Sequence, residues 1–225
     1  MRKNTLLLAA VLTAIAGNAA AQSQTFYVGG AYLQINSKAP ALQGGDPVPA
    51  PGGLLEVDDS NTLAFGYIRG ISDRFSLEAA LGIPPKHKTF GKGFLEPFGQ
   101  ISSVKQFAPT VFFNYHFGDP GATLRPFVGL GLNYTRFLDA KSTPSGEAAS
   151  GGPTKLRLSD SWGLAAHGGA AWAIDKRWQI IGSIAYADVK SNLTATTTTY
   201  KGEVVRTTRI EFRPVVYTLV VGYSF

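Results

Sequence analysis

Large hydrophobic residues alternate with small or polar ones in several separate segments of this chain. The clearest segment is the last, Pro214 to Phe225, where one face carries Val215, Tyr217, Leu219, Val221, Tyr223 and Phe225. The other face carries Val216, Thr218, Val220, Gly222 and Ser224. Side chains of a β-strand point alternately to its two faces, so this pattern predicts a strand that lies between an apolar and a polar environment.

The same period of two predicts seven earlier strands. They run from Thr25 to Ile35, Thr62 to Ile71, Phe75 to Ile83, a stretch ending at Phe117, Arg125 to Leu138, Trp162 to Ile174, and Trp178 to Val189. Short polar turns follow the second, fourth and sixth strands. Longer segments rich in Gly, Pro, Ser and Thr occupy residues 36–60, 84–103, 139–157 and 191–208, and the last of these predicts a β-hairpin.

Eight strands with alternating short and long connections predict an all-β fold, an eight-stranded antiparallel transmembrane β-barrel with short periplasmic turns and long extracellular loops. A strand facing lipid can leave no backbone edge unpaired, so the sheet must close. A soluble lipocalin-like barrel is the structural alternative, but it would place its large apolar residues inside. The large apolar faces here carry almost no Lys, Glu or Asp, which favours contact with lipid.

The N-terminus has the pattern of a secretory signal. Arg2 and Lys3 precede an apolar stretch from Leu6 to Ala16, and small residues follow at positions 19–21. We therefore expect residues 1–21 to be a signal peptide and residues 22–225 to be an outer-membrane β-barrel domain, integral to a bacterial outer membrane. The absence of cysteine excludes a disulfide framework, and 26 glycines with 12% aromatic residues are typical of such barrels.

Charge and histidine placement limit the partners. The net charge of +6 falls to about +4 without Arg2 and Lys3, and the basic residues are scattered, so no nucleic-acid partner is expected. The three histidines are spread over separate segments, so no metal and no cofactor is expected. Glu78 should face the lumen, where a buried carboxylate needs a partner; Arg69 or His116 is the candidate.

Several motifs, taken in order, resemble the OmpW family of outer-membrane proteins. They are Leu77 to Ala80, Pro84 to Lys88, Ala108 to Val111, Arg125 to Thr135, Ser159 to Gly163 and Gly222 to Phe225. The resemblance implies a barrel that admits small hydrophobic molecules through an apolar extracellular funnel. It also implies a lumen blocked toward the periplasm and a lateral exit through the wall. Some members take up alkanes or other oils, and others are linked to stress or to binding of a bacterial toxin.

Transferred to this chain, the resemblance suggests three groups of site residues. Funnel positions are Leu54, Leu55, Phe90, Phe94, Leu95 and Phe98. The lateral opening would lie at Pro84 and Pro85; the alternative is that these prolines only end a strand at the membrane surface. The family's constriction can be filled by a leucine and a tryptophan, where this chain has Ala80 and Ala185. The gate is therefore either wider, or plugged by other lumen groups such as Phe112, Phe127 or Ile181, with Glu78 nearby.

Three functions are considered. The first is passive passage of small hydrophobic molecules, and the second is a structural barrel anchor whose loops bind an external partner. The third, a lipid-modifying enzyme, would need a catalytic triad drawn from Ser60, Ser161, Asp58, Asp59, Asp160 and His87, but no spacing singles out one serine. The chain is therefore not expected to be an enzyme. Outer-membrane lipid and the barrel-assembly machinery, through the C-terminal strand ending at Phe225, are the other expected partners.

Overall fold

The computed structural model describes residues 23–45 and 53–225. The expected signal peptide, residues 1–21, lies outside the described residues. Among the described residues, the first eight strands in chain order are β1 (Gln24–Ile35), β2 (Gln43–Gly44), β3 (Gly53–Val57), β4 (Ser60–Gly70), β5 (Phe75–Gly82), β6 (Lys86–Gly93), β7 (Gln100–Phe107) and β8 (Thr110–His116). The remainder are β9 (Leu124–Ser142), β10 (Thr154–Leu158), β11 (Ser161–Ala173), β12 (Trp178–Ala187), β13 (Lys190–Thr199), β14 (Gly202–Glu211) and β15 (Pro214–Ser224).

Two short helices complete the described elements, the 3-10 helix Glu96–Phe98 and the α-helix α1 (Pro144–Ser150). Thr143 caps α1 because its side chain accepts a hydrogen bond from the Gly146 amide, and Gly151 ends the helix with a left-handed backbone, φ 86°. No helix among the described residues is long and apolar enough to cross a membrane.

Eight of the described strands form a closed antiparallel barrel, in the order β1-β4-β5-β8-β9-β11-β12-β15. The C-terminal strand β15 closes it by pairing with β12 on one side and with β1 on the other, where Val221 lies opposite Val28. The eight-stranded fold predicted from the alternation pattern is thereby confirmed. The start of β1, the end of β15 and the short turns all lie on the same side of the barrel, which is the periplasmic side.

The outer wall is an apolar belt, as the alternation predicted. Leu130, Leu164 and Leu219 are 73%, 72% and 66% exposed, whereas the adjacent lumen residues Ala165 and Val220 are buried. Water does not favour such a continuous exposed apolar surface, so its solvent is lipid. The lumen instead contains small residues and buried polar groups, because it is shielded from hydrocarbon by the wall itself.

Aromatic and acidic residues mark the extracellular border of this belt. Tyr32 donates a 2.5 Å hydrogen bond to Asp59, and Tyr134 donates a 2.6 Å hydrogen bond to Asp160. At the periplasmic border, the Trp178 and Tyr223 rings pack edge to face at 4.9 Å. Aromatic residues with one apolar and one polar end occupy this position in outer-membrane barrels, where lipid tails meet headgroups.

The long connections are more ordered than the sequence analysis predicted. Residues 84–103, assigned as loop, instead contain β6 and part of β7, which extend the wall beyond the membrane together with β3 and β9. Segment 139–157 contains α1 and β10. The predicted hairpin at residues 191–208 is confirmed as β13 and β14, in a four-stranded sheet with β10 and β2. The strand β6 was missed because its inward face carries His87, Thr89 and Gly91 opposite outward lysines, so neither face is clearly apolar and the alternation is hidden.

Candidate functional site

A hydrogen-bonded layer of polar side chains crosses the lumen at the level of Glu78. The Glu78 carboxylate accepts hydrogen bonds from the Tyr27 hydroxyl at 2.8 Å and from the Asn114 amide at 2.9 Å. Nε2 of His167 donates to the Asn114 carbonyl oxygen at 2.7 Å and lies 3.9 Å from Glu78. We call Tyr27, Glu78, Asn114 and His167 the polar layer. All four are buried, so the network satisfies groups that would otherwise be costly to keep from water.

Two glycines in the wall allow this layer to form. Gly129 of β9 lies directly opposite both Asn114 and His167, so the two side chains meet across it. A Cβ atom at Gly129 would lie 2.1 Å from the Asn114 oxygen and 2.7 Å from His167 Nε2. Gly66 has the same relation to Tyr27, whose ring atoms would lie 2.4 Å from a Cβ there. Glycine is therefore required at both positions for the polar side chains to lie along the wall.

Aromatic and aliphatic side chains pack around the polar layer and complete the seal. The Phe112 ring stacks on His167 with centroids 3.8 Å apart, and Phe127 packs edge to face on the other side at 5.2 Å. Ile181 is buried next to them. Phe127 and Ile181, with Glu78, line cavities both above and below this level. The structure thus places three predicted lumen residues, Phe112, Phe127 and Ile181, at one constriction with Glu78.

An apolar cavity of about 150 Å³ lies above the polar layer, toward the extracellular end. Ala80 and Ala185, where the resemblance implied bulkier residues, both line it. Other apolar lining side chains include Leu33, Ala64, Leu81, Val189, Val216 and Val220, and polar ones include Thr62, Gln106, Thr110, Asn133, Ser183 and Thr218. A dry cavity of about this size accepts a single benzene ring in another protein. The small alanines thus leave space above the constriction, and the bulk that closes the axis lies at the level of Phe127.

The wall beside this cavity is interrupted between β5 and β8. Their ladder ends at the pair Ala80 and Thr110, and the two segments meet again where the Gln106 amide donates to the Pro85 carbonyl at 3.1 Å. We call the stretch between these contacts the wall gap. It is bordered by residues 81–84 on one side and 107–109 on the other.

On each side of the wall gap, the backbone is hydrogen-bonded to the neighbouring strand that lies away from the gap. The Ile83 amide donates to Leu63 at 3.0 Å, and the Tyr134 amide donates to the Pro109 carbonyl at 3.0 Å. Pro84, Pro85 and Pro109 have no amide hydrogen, so they add no unpaired donor in the membrane. The apolar cavity reaches this gap, since Leu81, Gly82, Pro85, Gln106 and Ala108 all line it.

A second cavity, of about 400 Å³, lies in the extracellular part. Three of the predicted funnel residues line it, Leu55, Phe94 and Leu95, and Phe98 packs against the same apolar cluster. Leu54 of β3 and Phe90 of β6 instead lie on the outward faces of their strands. Sequence reasoning missed other lining residues of this cavity. Leu42, Ile101 and Leu156 lie in segments that were assigned as loops, and Leu193 lies in the predicted hairpin, which was not expected to border a cavity. Residues of both linings belong to one buried apolar cluster, since it includes Leu33 and Val189 of the lumen cavity as well as Leu55 and Leu193 of the extracellular cavity.

The partners suggested for Glu78 by the sequence were wrong. His116 bonds to Ser76 at 2.8 Å, and Arg69 lies on the outward-facing positions of β4 with Phe65 and Tyr67. Tyr27 and Asn114 were not identified as partners. Alternation alone shows that they face inward, but only the register between strands shows that they lie at one height.

Two of the residues nominated for a catalytic triad, Ser161 and His87, make structural contacts. Ser161 accepts a hydrogen bond from the Lys190 amide at 3.0 Å. His87 is fully buried on the inner face of β6, and its Nδ1 lies 3.1 Å from the backbone oxygen of Asp58. Burial lowers the pKa of His87, so the ring is neutral at pH 7. Among residues 23–45 and 53–225, no group of three His, Asp or Glu side chains could hold a metal ion.

Comparisons with known proteins agree with this geometry. A model of the OmpW family matches residues 37–225. The chain belongs to the OmpW family. It is 37% identical over 172 residues to outer membrane protein W of Vibrio cholerae serotype O1, an alignment that covers 74% of this chain and 75% of that protein.

Two more distant similarities extend over nearly the whole chain of this OmpW-family protein. The dibenzothiophene metabolism operon protein PahQ of Pseudomonas aeruginosa is 27% identical over 231 residues, covering all of both chains. The crystal structure of OprG from Pseudomonas aeruginosa superposes with a TM-score of 0.81 at 23% identity, covering 91% of this chain and 96% of that one. The protein is therefore an integral outer-membrane β-barrel, of a family that consists of barrel proteins rather than enzymes.

Proposed function

We propose that this barrel gives small hydrophobic molecules a passive route from the extracellular side into the membrane. The solute would enter the extracellular cavity at Leu55, Phe94 and Leu95, pass into the apolar cavity of the lumen, and leave through the wall gap. The observation that carries this proposal is the position of the lumen cavity. It is closed toward the periplasm by the polar layer and reaches the wall gap at its side.

The physical chemistry of the two boundaries supports a lateral exit. An apolar solute gains about 25 cal/mol for each Å² that it removes from water, whereas crossing the polar layer would break hydrogen bonds to a buried carboxylate. Leaving through the wall gap spares the polar layer, because the solute passes Leu81, Gly82 and Ala108, although Gln106 and Thr110 also border this exit. No energy source is needed, because the concentration gradient and the lipid phase drive the movement.

Substitution at Gly82 tests the proposed exit. Gly82 lies in the wall gap and lines the lumen cavity, and a Cβ there would make only ordinary contacts, the nearest at 3.4 Å. We expect Gly82→Phe to fill the gap and to lower the initial rate of toluene uptake into proteoliposomes almost to the protein-free rate. Gly30→Phe is the matched control, because Gly30 is on the belt and a Cβ there meets nothing within 4 Å.

The two variants are compared at equal amounts of folded barrel, measured by heat-modifiable migration in gels. Unchanged uptake by Gly82→Phe would contradict the lateral exit. Uptake by the wild type at the protein-free rate would contradict passage altogether and would favour a barrel that only anchors its extracellular sheets for an external partner.

The C-terminal strand supports a further part of the proposal, recognition by the barrel-assembly machinery. Phe225 is 59% exposed, stacks on Phe26 with ring centroids 5.7 Å apart, and its amide bonds to Gln24 at 2.9 Å. Deleting Phe225 should lower the amount of folded protein in outer membranes, while refolding of the purified chain into lipid stays efficient. Equal loss in both measurements would assign Phe225 to stability alone.

A further inference from the structure

Four exposed cations lie together on the outer wall just beyond the wall gap. Lys86 and Lys88 are on β6, Lys105 is on β7 and Arg136 is on β9, and all four side chains are exposed. Lys86 lies directly opposite Lys105 in the strand register, and Arg136 lies opposite Phe107, two residues from Lys105. We call these four residues the rim patch.

The rim patch is not neutralised within the described chain. Among residues 23–45 and 53–225, its one ion pair joins Lys105 to Asp139 at 2.9 Å. Within the described residues Lys86, Lys88 and Arg136 thus make no ion pair of their own, and like charges directly across a strand pair, such as Lys86 and Lys105, destabilise the sheet. Lys190 and Arg213 instead have acidic partners: Lys190 pairs with Asp188 at 2.6 Å, and Arg213 pairs with Glu211. The rim patch differs from these two sites because two of its lysines lie directly opposite each other in the strand register.

The height of the rim patch corresponds to the lipid headgroups. Ile83, 54% exposed and part of the apolar belt, precedes Lys86 by three residues. Arg136 follows Tyr134, whose hydrogen bond to Asp160 marks the extracellular border, by two residues. Side chains at this height contact the polar part of the lipid, whereas the wall below them contacts the acyl chains.

We propose that the rim patch binds the phosphate groups of a phosphorylated glycolipid of the outer leaflet, whose acyl chains then lie against the wall below. Lysine and arginine form strong charge-assisted hydrogen bonds to phosphate oxygens, and clustered basic side chains at a membrane surface attract anionic headgroups. The bound headgroup compensates the repulsion between Lys86 and Lys105. This lipid site is inferred from the charge and position of the four rim-patch residues alone, independently of the proposed passage of a solute.

The test compares two triple variants with the same change in charge. One is Lys86→Gln, Lys88→Gln, Lys105→Gln in the rim patch. The control is Lys155→Gln, Lys190→Gln, Lys201→Gln, whose positions lie outside it. Native mass spectrometry of detergent-solubilised protein, titrated with bis-phosphorylated lipid A, measures binding. We expect affinity to fall about tenfold or more in the rim variant, since each lysine near an anionic surface contributes about 1 kcal/mol, and to change little in the control.

Two further measurements identify the ligand. Dephosphorylated lipid A should bind the wild-type protein weakly. Raising the salt concentration should lower the affinity of the wild-type protein for bis-phosphorylated lipid A, and this second measurement does not depend on the folding of any variant. Equal loss in both triple variants, or equal binding of dephosphorylated lipid, would overturn the proposal. Equally tight binding of phosphatidylglycerol or of inorganic phosphate would also overturn it, because the site would then select negative charge rather than the glycolipid.

Discussion

The lumen of this barrel differs in construction above and below the polar layer. Below Glu78, a cavity of about 550 Å³ is bordered by the periplasmic turns and by polar or charged side chains such as Thr25, Arg125 and Gln179. Above it, the smaller cavity exposes more apolar than polar surface, with alanine as its commonest lining residue, and it reaches an interruption in the wall. Closure along the axis and the interruption of the wall therefore depend on different residues, and the proposed lateral exit uses only the second feature.

The largest expected effect comes from breaking the polar layer at Asn114. Asn114→Leu removes one donor to the buried Glu78 carboxylate and the acceptor for His167, so the free energy of unfolding should fall by about 3 kcal/mol. Asn133→Leu is the matched control: Asn133 is also buried, but both its partners are neutral, since it donates to the Thr110 hydroxyl at 2.8 Å and accepts from the Thr135 hydroxyl at 2.8 Å, and its loss should cost less, about 2 kcal/mol. Urea titration in lipid vesicles measures both. Equal decreases in the free energy of unfolding would show that Asn114 does not stabilise the buried Glu78 carboxylate.

A second test separates axial closure from the lateral gap. The double variant Phe127→Ala, Ile181→Ala should raise ion conductance in planar bilayers severalfold, because the interior of an eight-stranded barrel is only wide enough to be filled by side chains. Phe113→Ala, which removes an equivalent ring from the lipid-facing belt, should leave conductance unchanged. Conductance that stays at the wild-type level in the double variant would assign the seal to other residues.

A smaller effect is expected at the extracellular cavity. Leu95→Asp places a charge on its apolar lining, and it should lower toluene uptake less than Gly82→Phe does, since solute can still reach the lumen from other sides. Leu54→Asp, on the outward face of β3, is the control and should have no effect on uptake. If both aspartates lower uptake equally, the outer surface rather than the cavity collects the solute.

The smallest effect concerns the periplasmic turn after β11. Oδ1 of Asp175 accepts hydrogen bonds from the amides of Arg177 and Trp178 at 2.7 and 2.8 Å, and these bonds lower the pKa of Asp175. Because the pKa is lowered in the folded state, the turn is stabilised at neutral pH and loses this contribution as the pH falls through the folded-state pKa. A carboxyl titration by NMR should give a lower midpoint in the barrel than in a peptide of residues 173–179. Equal midpoints would contradict the turn contacts.

Some features of the site could be predicted residue by residue. Period-two alternation placed Glu78, Ala80, Phe112, Phe127, Ile181 and Ala185 on the inward face, where all of them line a cavity. Prolines at 84 and 85 indicated an end to strand pairing. The partners of Glu78 could not be predicted, because Tyr27, Asn114 and His167 are 51, 36 and 89 positions away in the chain.

The sequence by itself determined that eight strands face lipid on one side, since hydrocarbon requires apolar side chains and a closed sheet requires paired edges. Only the tertiary structure decided which inward residues share a height, because register depends on contacts between strands distant in sequence. The same limit applies to the rim patch. Its lysines stand in separate segments of the chain and become neighbours only where β6, β7 and β9 pair above the membrane.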